Sequence, residues 1–291
     1  MRRDAVERRL EEVVARVEPE ALSAEMRHVV LSGGKRVRPT LTVLVCEAAG
    51  GDVRRSTGDG SDDGVPADRE RALDFAAGVE LVHNASLVVD DIIDRSAVRR
   101  GTKSAWAEYG HGQAIVASDG LLGEAFALFS ADPRAMEVVA DAMVELGEGE
   151  ATELVARPTT EREYVDLARR KTGALFRAAA QLGAIAADAD GESITAFGEY
   201  AERVGIAFQI RDDVLDATAD EDALGKPTRQ DEEMDRPSLV QVTGMAPAEA
   251  NERAHEQAVE ARRALDSIDL VDSEARRYLE ELAVFVVERE R

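Results

Sequence analysis

Apolar side chains recur at helical spacing from the beginning of the chain. Ala5, Leu10, Val13, Val14 and Val17 share one side of a helix drawn over residues 4–18. A second helical pattern covers 20–31 and stops at Ser32-Gly33-Gly34. A third starts near Arg38-Pro39, since proline suits a first helical turn, and runs through Leu41, Val43, Leu44 and Cys46 to Gly50-Gly51. Cys46 in that apolar run reads as a core residue. Residues 50–69, rich in Gly, Asp, Ser and Arg and without periodicity, read as a flexible surface loop. Helical patterns resume over 70–95, 112–130, 134–156, 160–187 and 192–217. A polar loop follows at 218–235, and weaker patterns cover 246–265 and 273–289. No alternating run is long enough for a sheet, and no short repeat is present. The pattern predicts an all-α single domain over 1–291, with ten or more helices around a central bundle.

With 44% hydrophobic residues in 291 positions, the chain can build a sizeable core in spite of its charge. A lone cysteine excludes a disulfide framework and a cysteine-based zinc site. Acidic side chains number 59 against 36 basic ones, a formal net charge of −23. That balance disfavours general nucleic-acid binding, because phosphate affinity comes mainly from lysine and arginine. The N-terminus, Met-Arg-Arg-Asp-Ala-Val-Glu-Arg-Arg, has no apolar signal core. No stretch reads as the roughly 20 apolar residues of a membrane helix, so a soluble, cytoplasmic protein is expected. Only four basic residues are lysine: Lys35, Lys103, Lys171 and Lys226. An acidic, lysine-poor surface points to a cell of high internal salt, where excess carboxylates keep proteins soluble. A GC-rich genome that favours arginine codons is the alternative.

Two DDxxD runs carry the first candidate chemistry. In Asp90-Asp91-Ile92-Ile93-Asp94, residues four apart share a helix face, so Asp90 and Asp94 point together with Asp91 at their flank. Asp212-Asp213-Val214-Leu215-Asp216 repeats the spacing. Both follow apolar stretches, where carboxylates are costly unless something positive neutralises them. Mg²⁺ meets that need: it takes hard oxygen ligands, few of them from protein, and fills its shell with water and phosphate oxygens. Two acidic helix ends facing solvent would be the plainer account.

The second candidate feature is cationic. Gly33-Gly34-Lys35-Arg36-Val37-Arg38-Pro39 precedes a helix N-terminus, which itself attracts anions. Arg99-Arg100-Gly101, Lys171-Thr172-Gly173 and Gly225-Lys226-Pro227 complete the set. Taken singly these are ordinary surface charges. Beside two metal-binding motifs they suggest a pocket for more than one diphosphate, one held through Mg²⁺ and the other directly by Arg and Lys. His83, seven residues before Asp90, lies on roughly the same helix face. Trp106 reads as packing, and His28, His111 and His255 form no metal-ligand pattern.

As a set, GGKRVRP, ELVHNASLVVDDIIDRSAVRRG, KTGALF, FQIRDDVLD and LGKPTRQD resemble the trans-isoprenyl diphosphate synthases, or polyprenyl synthetases, and the resemblance runs from about Gly33 to Leu239. The resemblance implies an all-helical isoprenoid synthase fold around a central substrate cavity, a homodimer, and Mg²⁺-dependent joining of an allylic diphosphate to isopentenyl diphosphate. It implies isopentenyl diphosphate binding by Lys35, Arg38, His83 and Arg100. It implies about three Mg²⁺ ions held by Asp90, Asp94 and Asp212 together with Asp91 and Asp216, with Asp213 completing the catalytic aspartates. Arg99, Lys171, Thr172, Gln209 and Lys226 would hold the allylic diphosphate, Lys171 also belonging to the catalytic set. Arg236 stands where the family usually has a lysine, which keeps charge but not geometry. Ser118-Asp119 and Gly149-Glu150 replace the family's usual Gly-Asp and Gly-Gln without removing any of these groups.

The implied reaction ionises the allylic C–O bond, with Mg²⁺ and the cations stabilising the diphosphate leaving group. The double bond of isopentenyl diphosphate then attacks the cation. A class I terpene cyclase shares the first aspartate motif but has no use for GGKRVRP. A non-catalytic subunit of a heteromeric synthase would have lost aspartates or cations that this chain keeps. Ala85 and Ser86, five and four positions before Asp90, bear on product length. Side chains tilt toward a helix's N-terminus, so these two lie beneath the head group. In the family the chain resembles, a bulky aromatic at this level stops growth near C15, so the small size of these two implies a C20 product, geranylgeranyl diphosphate, or one somewhat longer. A floor elsewhere, from Phe126 or Phe129, is the alternative.

Overall fold

A computed structural model describes residues 2–51, 67–218, 237–270 and 272–289. More than ten α-helices, two π-helical turns and one two-stranded hairpin are the regular elements among the described residues. The chain groups into two compact units, Met1–Glu137 with Leu182–Ala189, and Val138–Gln181 with Asp190–Arg291.

The first unit contains α1 (Arg2–Ala15), α2 (Glu20–Leu31), α3 (Val37–Ala48), α4 (Ala67–Ile93), a hairpin of β1 (Val98–Arg99) and β2 (Thr102–Lys103), α5 (Ala105–Tyr109) and α6 (His111–Phe129). α4 is its centre, with α1, α3 and α6 packed against it. The middle of α4, Phe75, Ala76, Ala77, Val79, Leu81 and Val82, is buried all round, as in a core helix. α1 contributes the buried stripe Val6, Leu10, Val13 and Val14. α6 contributes Leu121 and, at helical spacing, the small Ala114, Ala117 and Ala125, which let it approach α4 closely. Gly78 marks that approach: a Cβ there would lie 2.5 Å from Cζ of Phe129. Cys46 is buried as expected, and burial pushes its thiol up to about 12.

The second unit draws on α7 (Pro133–Ala151), a π-turn (Thr152–Ala156), α8 (Glu161–Ala168), a second π-turn (Arg169–Gly173), α9 (Ala174–Ala186), α10 (Gly191–Thr218), α11 (Leu239–Thr243), α12 (Pro247–Asp266) and α13 (Glu274–Glu288). α10 is its centre, burying Phe197, Tyr200, Ala201, Val204 and Ile206. α12 packs on it through the alanine stripe Ala250, Ala254, Ala258 and Ala261. The buried Tyr200 hydroxyl donates to the Leu279 carbonyl of α13 at 2.7 Å.

The helices expected from periodicity are present, with instructive differences. Residues 67–69, read as loop, form the first turn of α4. By length and mean hydropathy alone α4 is long and apolar enough over Asp68–Ile93 to cross a membrane. Of its most apolar window 67% is buried inside the fold, so that apolar character serves the core. The helical pattern over 160–187 is interrupted by the second π-turn, which two glycines accommodate. A Cβ at Gly149 would lie 2.9 Å from the Lys171 nitrogen, and one at Gly205 would lie 2.9 Å from Gly173 Cα. The hairpin, α5 and α11 are too short for periodicity to reveal. Most of 50–69 and 218–235 lies outside the described residues.

Candidate active site

In the first unit the Gly33–Arg38 loop turns back through left-handed Gly33 (φ 96°), Gly34 (φ 123°) and Arg36 (φ 53°) before α3 begins. Arg36 points inward, its side chain 1% exposed, and donates from Nη1 to Glu80 Oε1 at 2.6 Å. Lys35 is exposed and Arg38 partly so. The β1–β2 hairpin turns through Arg100 (φ 51°) and Gly101 (φ 78°), the pair of left-handed residues that a two-residue hairpin turn requires. The turn sends its two arginines to different partners. Arg99 donates from Nε and Nη2 to Asp91 Oδ1 at 3.0 and 2.6 Å. Arg100 donates from Nη1 to the Gly33 carbonyl at 2.6 Å and to Asn84 Oδ1 at 3.3 Å. A Cβ at Gly34 would lie 2.9 Å from Cζ of Arg100, so a glycine there gives the guanidinium room.

His83 lies among these cations. Desolvation, followed by the charges of Arg38, Arg100, Arg99 and Arg36, holds its imidazole well below the usual 6.5, so it is neutral at neutral pH. Burial lowers Arg38 to about 10, with Glu80 opposing the shift and Arg100 adding to it. Burial lowers Arg100 as well, again opposed by Glu80. The fold therefore gathers Arg38, His83, Arg99 and Arg100 from three separate stretches of sequence. Guanidiniums crowded around few carboxylates form a ready anion site. A small, partly open cleft adjoins the cluster, lined among others by Asn84, Asp91, Arg99, Arg100 and Ser104.

The first aspartate run closes α4. Asp90 and Asp94 are partly exposed, and the Asp94 nitrogen donates to the Asp90 carbonyl at 2.8 Å. Asp91, about 100° further round the helix, faces the hairpin instead and is 3% exposed. Desolvation raises its carboxyl pKa, while the Arg99 guanidinium pulls it down.

The second run, in the second unit, divides in the same way. Asp213, 4% exposed, accepts from the Tyr164 hydroxyl at 2.5 Å, Gln209 Nε2 at 3.1 Å and the Leu239 nitrogen at 2.9 Å. Thr172 Oγ1 donates to Gln209 Oε1 at 2.8 Å, which ties the π-turn to α10. Lys171 pairs with Glu150 at 3.2 Å and with Glu153. Asp212 is exposed, and its Oδ1 accepts from Nη2 of Arg289 at 2.6 Å. The Arg289 guanidinium also lies 3.8 Å from the centre of the Phe208 ring. Asp216 is partly exposed, and Lys226 and Arg236 lie outside the described residues.

Among the described residues no three His, Cys, Asp or Glu side chains converge into a ready metal cluster. The donors nonetheless fit Mg²⁺. Each run offers two accessible carboxylates four positions apart, and the ion takes only one or two from protein and the rest from water and phosphate. Of the residues bearing on product length, Ala85 is 1% exposed and its carbonyl accepts from Ser118 Oγ at 3.2 Å. Ser86 is half-buried, Phe129 buried and Phe126 exposed. Sequence reasoning missed Arg36, Glu80, Asn84 and Arg289. A signal existed for Glu80 and Asn84, polar residues one turn apart in the apolar run of α4. None marked Arg289.

A family model described as polyprenyl synthetase matches residues 19–273. A short chain isoprenyl diphosphate synthase of Methanothermobacter thermautotrophicus is 32% identical over 99% of this chain and 96% of that protein. The crystal structure of a geranylgeranyl pyrophosphate synthetase from Pyrococcus horikoshii Ot3 superposes with a TM-score of 0.84 at 34% identity, covering 99% of this chain and 96% of that one. A polyprenyl synthase from Caulobacter crescentus CB15, complexed with calcium and isoprenyl diphosphate, superposes with a TM-score of 0.83 at 26% identity over 98% and 94% of the two chains. With the matched region, the helical fold and the gathered motifs in agreement, the chain belongs to the polyprenyl synthetase family and is an enzyme of the trans-prenyltransferase class.

Proposed function

We propose that this enzyme condenses an allylic diphosphate with isopentenyl diphosphate and that its main product is the C20 compound geranylgeranyl diphosphate. The observation that carries the reading is the gathering of Arg38, His83, Arg99 and Arg100, with Lys35 on the adjoining loop. Such a cluster binds a diphosphate without a metal. Arg38, Arg100 and Lys35 hold the isopentenyl diphosphate, and neutral His83 donates one N–H to a phosphate oxygen. Asp90 and Asp94, and likewise Asp212 and Asp216, would hold Mg²⁺ for the allylic diphosphate, about three ions in all. When bound, those ions neutralise the charge that develops on the leaving diphosphate. Arg99, Lys171, Thr172, Gln209 and Lys226 add direct contacts to that diphosphate, and Arg236 supplies a further positive charge. Asp91 and Asp213 position the others: one fixes Arg99, the other fixes Gln209 and the start of α11.

The C20 assignment rests on Ser86 and Ala85 in place of bulky side chains, and on the relative named a geranylgeranyl pyrophosphate synthetase. We also read the chain as one synthase domain, since the family match runs through both compact units. A homodimer is supported by Ile115 (49% exposed), Val116 (54%) and Phe126 (37%) on the outer side of α6.

Labelled isopentenyl diphosphate, incubated with Mg²⁺ and dimethylallyl, geranyl or farnesyl diphosphate, tests the reading. The expected result is label in a C20 alcohol after dephosphorylation, with Asp90→Ala and Asp212→Ala each slower by about a thousandfold or more. No incorporation with any primer would assign a non-catalytic subunit. Release of a cyclic hydrocarbon from an allylic diphosphate alone would assign a cyclase.

A further inference from the structure

Glu80 is a carboxylate in the core helix α4 and is 3% exposed. It accepts from Arg36 Nη1 at 2.6 Å and from Asn84 Nδ2 at 3.2 Å. Asn84 Nδ2 also donates to the Glu80 carbonyl at 2.7 Å. With its amide nitrogen turned to Glu80 twice over, Asn84 has its oxygen facing the hairpin, where it accepts from Arg100. An asparagine amide presents a donor on one side and an acceptor on the other, so whatever orients the nitrogen also orients the oxygen. The second acceptor for Arg100, the Gly33 carbonyl, sits in the loop that Arg36 pins to Glu80. Both acceptors that hold the Arg100 guanidinium thus adjoin groups bonded to the Glu80 carboxylate, Asn84 directly and the glycine loop through Arg36, which the Val30 carbonyl also holds.

We infer that Glu80 is the positioning residue of the isopentenyl diphosphate pocket, aiming Arg100 through Asn84 on one side and through the Arg36-anchored glycine loop on the other. The inference rests on the assignment of Arg38, His83 and Arg100 to that substrate. Charge supports it. Burial lowers the pKa of both Arg38 and Arg100, and the Glu80 charge opposes that shift in each, with Asp91 adding to that opposition at Arg100. Arg36, Arg38, Arg99 and Arg100 outnumber the carboxylates beside them, Glu80, Asp91 and Glu7, which leaves positive charge for a diphosphate to neutralise. Removing Glu80 disorders the cations rather than strengthening the site, because Arg36 is then buried without its partner.

The test is calorimetric binding of isopentenyl diphosphate, with KM values for both substrates, on Glu80→Gln, Asn84→Ala and Lys35→Ala. Glu80→Gln keeps the shape and the backbone carbonyl but removes the charge that holds Arg36 and weakens one of the two acceptors that orient Asn84. Isopentenyl diphosphate affinity is expected to fall about tenfold or more, as for loss of a charge-assisted hydrogen bond, while the allylic KM stays within about twofold. Should Glu80→Gln fail to fold, Asn84→Ala removes the relay with the Arg36–Glu80 pair intact, and the same shift is expected. A folded variant of either kind that binds isopentenyl diphosphate like wild type overturns the inference, as does an equal rise in both KM values. Lys35→Ala separates the two levels. If it weakens isopentenyl diphosphate binding while the other variants do not, only the role of Glu80 fails. If it has no effect, the pocket assignment fails and the inference with it.

Discussion

At His83, burial and four arginines act in the same direction. Its pKa lies well below 6.5 in the folded protein, whereas the unfolded chain takes up a proton near that value. The unfolded state then binds more protons in the interval between the two values, so stability rises with pH there. The contribution of His83 is complete above about 6.5 and is lost progressively as pH falls below it. The melting temperature of wild type should therefore drop more between about pH 7 and pH 6 than that of His83→Gln. Equal drops would show that the imidazole is not the group responsible. At this scale the sequence was legible in kind but not in detail. The DDxxD spacing marked six aspartates without apportioning them. Asp91 is taken by an arginine eight positions on, and Asp213 by a tyrosine 49 positions away. Only the hairpin and the packing of α8 on α10 bring those partners into reach, and neither leaves a periodic trace.

Among the elements, the long helices were legible because each buries a wide apolar face at a regular period, and the short pieces were not. The hairpin that aims Arg99 and Arg100 has strands of two residues, below the length at which alternation can be seen. Its turn residues are an arginine and a glycine, both left-handed, and only the glycine advertises that conformation. The same limit applies to product length. Spacing nominated Ala85 and Ser86 together, but Ala85 is closed in by α6 and Ser86 is half-buried. A phenylalanine at Ala85 would overpack a filled interface at about 1–3 kcal/mol, whereas Ser86 has space beside it. Ser86→Phe is thus the sharper probe. It should shift the product from C20 toward C15 with the melting temperature little changed, as read by chromatography of the dephosphorylated alcohols. An unchanged product distribution would place the floor elsewhere.

Over the whole molecule the dominant property is charge. A net −23 on 291 residues repels itself when unscreened, and the Debye length shrinks from about 10 Å at 0.1 M salt to about 3 Å at 1 M. Adaptation to high salt predicts a melting temperature that rises markedly between low and molar KCl. A melt insensitive to KCl would favour codon bias as the source of the arginine-rich, lysine-poor composition. The division of labour between two kinds of diphosphate site belongs to this scale too, and it can be measured without turnover. Isopentenyl diphosphate and a thio-analogue of farnesyl diphosphate that does not ionise are each titrated calorimetrically into the enzyme, once with Mg²⁺ and once with EDTA. The account predicts that isopentenyl diphosphate, held by guanidiniums and Lys35, binds equally in both, while the allylic analogue loses its binding in EDTA. Isopentenyl diphosphate binding abolished by EDTA, or allylic binding indifferent to it, would contradict the account.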